Sequence, residues 1–262
     1  MLKKLLLTLL LFAAATGARA TDYTDLYFVA LEPGSGYNVV QSDNFIFITF
    51  FIYGPDKTPT WYTAQLTLDT SGNFNGPLYA TAGTFYGSPY SVMDSSIVQV
   101  GTASFQPTSA YTAKLVYIVT SPPNLAATVT KLIQRQTLTV ITLGGTYFGG
   151  QVGAYSGCSS AGNNGPYTDG YNLQVTQLTS GNVTFQFDYA SGLSCTLSGT
   201  LVQYGQLYTV PTTTYVCSDG LNTNAAMSEI KATSLGLEGR FAAPDVGGGC
   251  REDATFGGPL NQ

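Results

Sequence analysis

No stretch of a dozen residues in this chain carries a helical hydrophobic period, while strand signals recur throughout. That limits the fold to one built from short strands and turns. The strongest signal is Phe45-Ile46-Phe47-Ile48-Thr49-Phe50-Phe51-Ile52-Tyr53, aromatic and β-branched with few polar positions. It reads as a strand covered on both faces. Asp43-Asn44 precedes it and Gly54-Pro55-Asp56 ends it, both with turn chemistry. Thr60 to Leu68 reads as its antiparallel neighbour, and Asp69-Thr70-Ser71-Gly72-Asn73 turns the chain again. Further strands are expected at Ile97 to Phe105, Ala113 to Val119 and Val129 to Leu138. Beyond them, Leu173 to Leu178 and Val183 to Tyr189 flank Thr179-Ser180-Gly181-Asn182 as one hairpin. Thr196 to Val202 and Tyr208 to Val216 flank Gln203-Tyr204-Gly205-Gln206 as another.

The fold class expected is all-β, with two antiparallel meander domains, barrel-like or sandwich. Residues 1–20 read as a signal peptide: Lys3 and Lys4, then an apolar run from Leu5 to Ala15, then Ala18-Arg19-Ala20 as a small-x-small cleavage site. The run is too short for a spanning helix, which needs ~20 residues. The domain boundary is placed at 138/139, giving an N-terminal β domain over 21–138 and a C-terminal one over 139–262. All four cysteines lie beyond that boundary, and the Gly-aromatic segment Gly144 to Gly150 begins there.

An even cysteine count in an exported chain favours disulfides. If the second hairpin turns near Gly205-Gln206, Cys195 and Cys217 fall opposite each other on neighbouring strands, within disulfide reach. Cys158 then joins Cys250. This connectivity is favoured, and the other two stay open. None of the four sits in a C-x-x-C pair, so redox-motif and zinc-ribbon readings fail.

Charge and histidine exclude whole classes of function. Without Lys3, Lys4 and Arg19, 7 basic residues remain of the 10, against 15 acids, a net charge of −8. That argues against nucleic acid as a partner and against docking on anionic membranes. The chain contains no histidine. A Ser-His-Asp or Cys-His apparatus has no general base, and histidine-ligated metal sites cannot form. Gly247-Gly248-Gly249 lacks any strand-to-helix context and reads as a loop, not a phosphate cradle. Most aspartates, including Asp43, Asp56, Asp69, Asp169 and Asp219, stand in turn-like contexts where they cap turns. A calcium site at Asp219 with Asn222 and Asn224, or at Glu252-Asp253, is conceivable, but solvated turns are favoured and no metal site is assigned. No catalytic residue and no cofactor is assigned either.

The segment Glu32 to Gly83 resembles a group of poorly characterised bacterial secreted β-domains. The residues that carry the likeness are Ser35-Gly36-Tyr37-Asn38, read as a Gly-rich turn, then Phe45 to Tyr53, Pro59-Thr60-Trp61-Tyr62 and Gly76-Pro77-Leu78-Tyr79-Ala80-Thr81-Ala82-Gly83. Where several members carry Glu before the first Ser-Gly, this chain has Gly34. The resemblance implies export, β-structure and modular use, and it supplies no catalytic residue. The cysteine-bearing half shows no such likeness.

Aromatics are the remaining lead, because flat rings stack on sugars. Tyr37, Asn38, Trp61 and Tyr62 are the candidate binding residues, although a lone tryptophan in an apolar strand is more often a core residue. The function expected is an exported, soluble, non-catalytic binding or structural module, secreted or periplasmic. It would sit at the bacterial cell envelope or outside the cell, with envelope glycan or protein as partner and no membrane span after cleavage. The alternative is a histidine-free hydrolase of polysaccharide, which needs two carboxylates ~5–9 Å apart. An outer-membrane barrel would need ~10-residue alternating strands throughout and fits less well.

Overall fold

A computed structural model describes residues 21–261. The signal-peptide reading of residues 1–20 lies outside the described residues. The chain is all-β, in two antiparallel meanders. The first comprises β1 (Asp25–Phe28), β2 (Gly36–Ser42), β3 (Phe45–Tyr53), β4 (Pro59–Leu68), β5 (Phe74–Ala82), β6 (Ser96–Pro107), β7 (Thr112–Val119) and β8 (Ala127–Arg135). Each strand pairs with the next, and β8 returns to β1 through Tyr27↔Arg135, closing a barrel. Closure leaves no free sheet edge.

The second meander comprises β9 (Gly145–Ser156), β10 (Gly165–Gln177), β11 (Asn182–Tyr189), β12 (Ser194–Thr200), β13 (Val202–Tyr204), β14 (Leu207–Cys217), β15 (Asn222–Ala232), β16 (Gly236–Ala243) and β17 (Arg251–Pro259). β17 pairs back on β9, and β14 pairs with β12 as well as β13, so this sheet also closes. By their contacts the described residues divide into Asp22–Ile141 with Val202–Thr209, and 142–201 with 210–261. The β13–β14 hairpin tip thus belongs with the first unit. Gln206 donates its N–H to Asp25, and Tyr204 stacks on Tyr111 at 5.0 Å.

Both disulfides are the favoured pairs, Cys195–Cys217 from the strand register and Cys158–Cys250 as the pair that remains. Cys195 and Cys217 are directly opposed on β12 and β14 and are bonded. Cys158 is bonded to Cys250. The first ties two paired strands and the second ties the loop after β9 to the residue before β17.

Strand alternation sets which side chains enter the first core. Ile46, Ile48 and Phe50 of β3 are buried, as are Tyr62, Ala64 and Leu66 of β4. The outer row of β3 is only partly covered, contrary to the reading of a strand buried on both faces: Phe47, Thr49 and Phe51 are half-buried, and Phe45 and Tyr53 are 39% and 53% exposed. A barrel has one interior, so this row faces outward, where neighbouring side chains such as Trp61 cover it in part. Gly36-Tyr37-Asn38 opens strand β2 instead of forming a turn. Three strands, β15, β16 and β17, arise where the sequence pattern gave little signal. They are rich in Ala, Gly and charged residues, and their inward positions carry small side chains such as Ala225, Ala232 and Ala254.

Candidate functional site

The four candidate binding residues divide between the two faces of the first barrel. Tyr37 and Tyr62 point inward and are buried, flanking Phe50 across β2–β3–β4 in the register Tyr37↔Phe50↔Tyr62. Tyr37 meets Phe50 edge-on at 5.4 Å, and Phe50 meets Tyr117 at 5.3 Å. Burial pushes the Tyr37 and Tyr117 hydroxyls up, so both stay neutral. Asn38 and Trp61 stand on the outer face. Trp61 is 54% exposed, which corrects the expectation of a core tryptophan. Its odd position on β4 puts it outside, where its ring sits edge-on against Phe51 at 4.6 Å. Along the same outer surface, Asn38, Thr49, Thr63 and Tyr79 lie in one row across β2 to β5, next to the row holding Phe51 and Trp61. The result is an aromatic step flanked by hydroxyls and an amide.

The second barrel holds a buried acid, Glu252, at a position whose sequence context favours a solvated turn. Glu252 and Asp253 are consecutive on β17, so they face opposite sides of the sheet and cannot share one ion. Glu252 is buried inside the barrel. Tyr167 donates its hydroxyl to one carboxylate oxygen, and Tyr215 donates to the other at 3.3 Å. Tyr189 donates to Gln151 Oε1 at 2.9 Å, and Gln151 donates to the Tyr167 hydroxyl at 3.0 Å. Tyr155 stacks on Tyr167 at 4.8 Å. Tyr167 occupies the room over Gly153, where a Cβ would come within 2.6 Å of its ring.

Burial raises Glu252 above the usual carboxylate range, against the opposing pull of the tyrosine hydroxyls. The same burial, together with the Glu252 charge, pushes Tyr155 up to about 12. The arrangement is a carboxyl group in a tyrosine-lined core whose burial favours its protonated form more than water does. The only sequence signal for it is the alternation of Glu252, Ala254 and Phe256, which becomes legible once Arg251–Pro259 is known to be a strand.

A third feature is a groove of about 930 Å³ on the outer face of β15, β16, β17 and β9. Its floor is small residues such as Gly150 and Ala154, and its charged lining includes Glu229, Glu238, Arg240 and Asp253. Arg240 pairs with Glu229 at 3.4 Å. Among the described residues no group of three or more Cys, Asp or Glu is placed to hold a metal ion. No helix among them is long and apolar enough to cross a membrane.

These features define a class: histidine-free, all-β proteins of two closed meanders, disulfide-bonded in the second. No family model and no curated protein matches the chain. Comparison with solved structures finds two mutants, one single and one double, of the vaccine antigen transferrin binding protein B from Haemophilus parasuis Hp5. Each is 10% identical, with TM-scores of 0.34 and 0.33. They cover 87% and 86% of this chain, which spans 61% and 60% of their length. A DUF3598-family protein of unknown function from Nostoc punctiforme is also 10% identical, with a TM-score of 0.23, over 90% of this chain and 94% of its own. Likenesses this remote say nothing of a ligand.

Proposed function

We propose that the chain is an exported, non-catalytic binding module of the bacterial cell envelope or extracellular space, and that it binds through the outer face of its first barrel. The observation that carries this reading is the sole tryptophan, Trp61, more than half exposed and propped on Phe51. Exposed apolar rings mark a contact surface where they form a contiguous patch, and the Trp61 ring is continuous with that of Phe51. A ring backed by a second ring and flanked by Asn38, Thr49 and Thr63 offers a stacking plane with hydrogen-bonding groups beside it, which suits a sugar. Export is supported by the Lys3 to Ala20 pattern and by two disulfides. The lack of histidine argues for binding over catalysis.

The test is a screen of the exported chain against glycans and cell-envelope fractions, with Trp61→Ala beside it. A captured glycan whose affinity drops ~10-fold or more in Trp61→Ala is the expected result, since losing one stacked aromatic costs about 1.5 kcal/mol or more. Binding unchanged by the substitution removes Trp61 from the site.

A second reading, polysaccharide hydrolysis by paired carboxylates, is favoured by the outer groove of the second barrel, where Glu229 and Glu238 stand on neighbouring strands. Release of reducing ends from an envelope polysaccharide, abolished by Glu238→Gln, would establish it in place of the first.

A further inference from the structure

The two ends of the first barrel differ in chemistry. In an up-and-down barrel the loops after odd strands share one end and those after even strands share the other. The even-strand turns are Asp43-Asn44, Asp69 to Asn73 and Thr108 to Tyr111, built mainly of Asp, Asn, Ser and Thr. Their apolar neighbours Phe45 and Leu68 are 39% and 37% exposed.

The odd-strand end carries Leu31 on the β1–β2 loop, and Phe85, Tyr86, Tyr90, Val92 and Met93 on the β5–β6 loop. All six are between 64% and 99% exposed. Tyr53 and Trp61 stand exposed on the two strands that flank the β3–β4 turn at this end.

This display is built. Thr84 donates its hydroxyl to the Ser91 carbonyl and accepts the Ser91 N–H, both at 2.9 Å, which pins the base of the β5–β6 loop. Ser88 N–H closes a turn on the Phe85 carbonyl at 2.9 Å, and Ser95 N–H another on the Val92 carbonyl at 3.2 Å. Leu31 is held in the left-handed region at φ 71°, unusual for a branched residue, with its side chain wholly in solvent. Charges at this end are few and of both signs. Glu32 pairs with Lys131 at 2.6 Å, and Asp56, Lys57 and Asp94 complete the set.

We infer that this end of the first barrel docks on an electrically neutral lipid surface, with the tips of the β1–β2 and β5–β6 loops entering its headgroup region. Three observations select lipid over a folded partner. Leu31 on one loop and the five apolar side chains of the β5–β6 loop stand in solvent as two projecting tips, with the Phe85 and Tyr86 rings 4.6 Å apart, whereas a protein interface needs a broad complementary patch. A fluid interface conforms to such tips. Tyr86 and Tyr90 are amphipathic rings of the kind that settle where hydrocarbon meets water. With two lysines at this end, one of them paired with Glu32, the surface it fits is not an anionic one. The inference rests on the export in the proposed function and not on the glycan surface.

The test is co-sedimentation of the exported chain with phosphatidylcholine vesicles, read also through Trp61, whose emission as the sole tryptophan reports the same end of the barrel. The expected result is sedimentation with the vesicles and a blue shift of Trp61 emission, insensitive to salt and not increased by added phosphatidylglycerol. The combined variant Phe85→Ser, Tyr86→Ser, Met93→Ser should bind ~100-fold more weakly, as fits the loss of three exposed apolar anchors. These side chains are outside the core, so near-ultraviolet circular dichroism of the variant should match the parent. Absence of vesicle binding, or binding only with phosphatidylglycerol present, overturns the inference. So does sedimentation velocity showing that these loops pair two copies of the chain without lipid. The loop variant keeping its glycan affinity while losing vesicles separates the two surfaces. Glycan binding without any vesicle binding leaves the proposed function standing and sinks this inference alone.

Discussion

At the scale of single residues, two buried charges govern stability in opposite ways. Arg135 closes the first barrel. Its side chain is 2% exposed and that of its partner Asp25 is 4%, with 3.1 Å between them. The guanidinium also donates to the Ala110, Thr24 and Asp22 carbonyls and lies over the Tyr27 ring at 5.6 Å. Removing one partner of such a pair leaves an uncompensated charge, so Arg135→Met should destabilise the first barrel by about 3–5 kcal/mol, measured by denaturant unfolding. Adding Asp25→Asn should recover part of that loss. Glu252 carries no such counter-charge, only tyrosine hydroxyls and the burial that raises its pKa. The folded barrel therefore keeps a proton that the unfolded chain releases. This contribution is full below the unfolded value and is lost as pH rises through the raised folded one. Melting of the parent should fall across that window, and Glu252→Gln should flatten the profile. A melting temperature that rises with pH in the same window would contradict the assignment.

At the scale of elements, alternation decides more than composition does. β3 and β4 each present one row inward and one outward, so adjacent residues Trp61 and Tyr62 have opposite fates, the first in solvent and the second in the core. Close strand approach in the second barrel depends on glycine. A Cβ on Gly149 would lie 2.0 Å from the Gly257 carbonyl oxygen, and one on Gly258 would lie 2.2 Å from that of Phe148. Neither contact can form without moving backbone, so Gly149→Ala should cost about 1–3 kcal/mol. The check is denaturant unfolding of the second barrel. Gly72→Ala is not a neutral control, since its φ is 83°; Gly83, with open space around it, is.

At the scale of the molecule, the cross-links divide unevenly. Both disulfides lie in the second barrel, closing loops with sequence separations of 92 and 22 residues. In the chain-entropy model they contribute about 4–5 and about 3 kcal/mol respectively. Reduction should therefore lower the unfolding temperature of the second barrel and leave that of the first unchanged. Calorimetry with and without reductant would show one transition shifting and one staying. Both transitions shifting together would mean that the barrels unfold as one cooperative unit.

Much of this was legible in the residues. The absence of helical periodicity, the turn glycines and the alternating runs specify an all-β chain, and the turn at Gly205-Gln206 sets the register that opposes Cys195 to Cys217. Turn aspartates behave as their chemistry dictates: Asp56, Asp69 and Asp219 each accept the N–H two residues on. What the residues could not show is which face of a strand becomes the interior, because that depends on closure through partners far away in sequence, such as Tyr27 with Arg135. Only closure puts Trp61 outside, sinks Glu252 among tyrosines from β9, β10 and β14, and gathers Leu31, Phe85 and Met93 at one end. Local sequence dictates strands and turns because their causes are local. Surfaces and buried charges are set by contacts between distant segments, and the tertiary structure alone decides them.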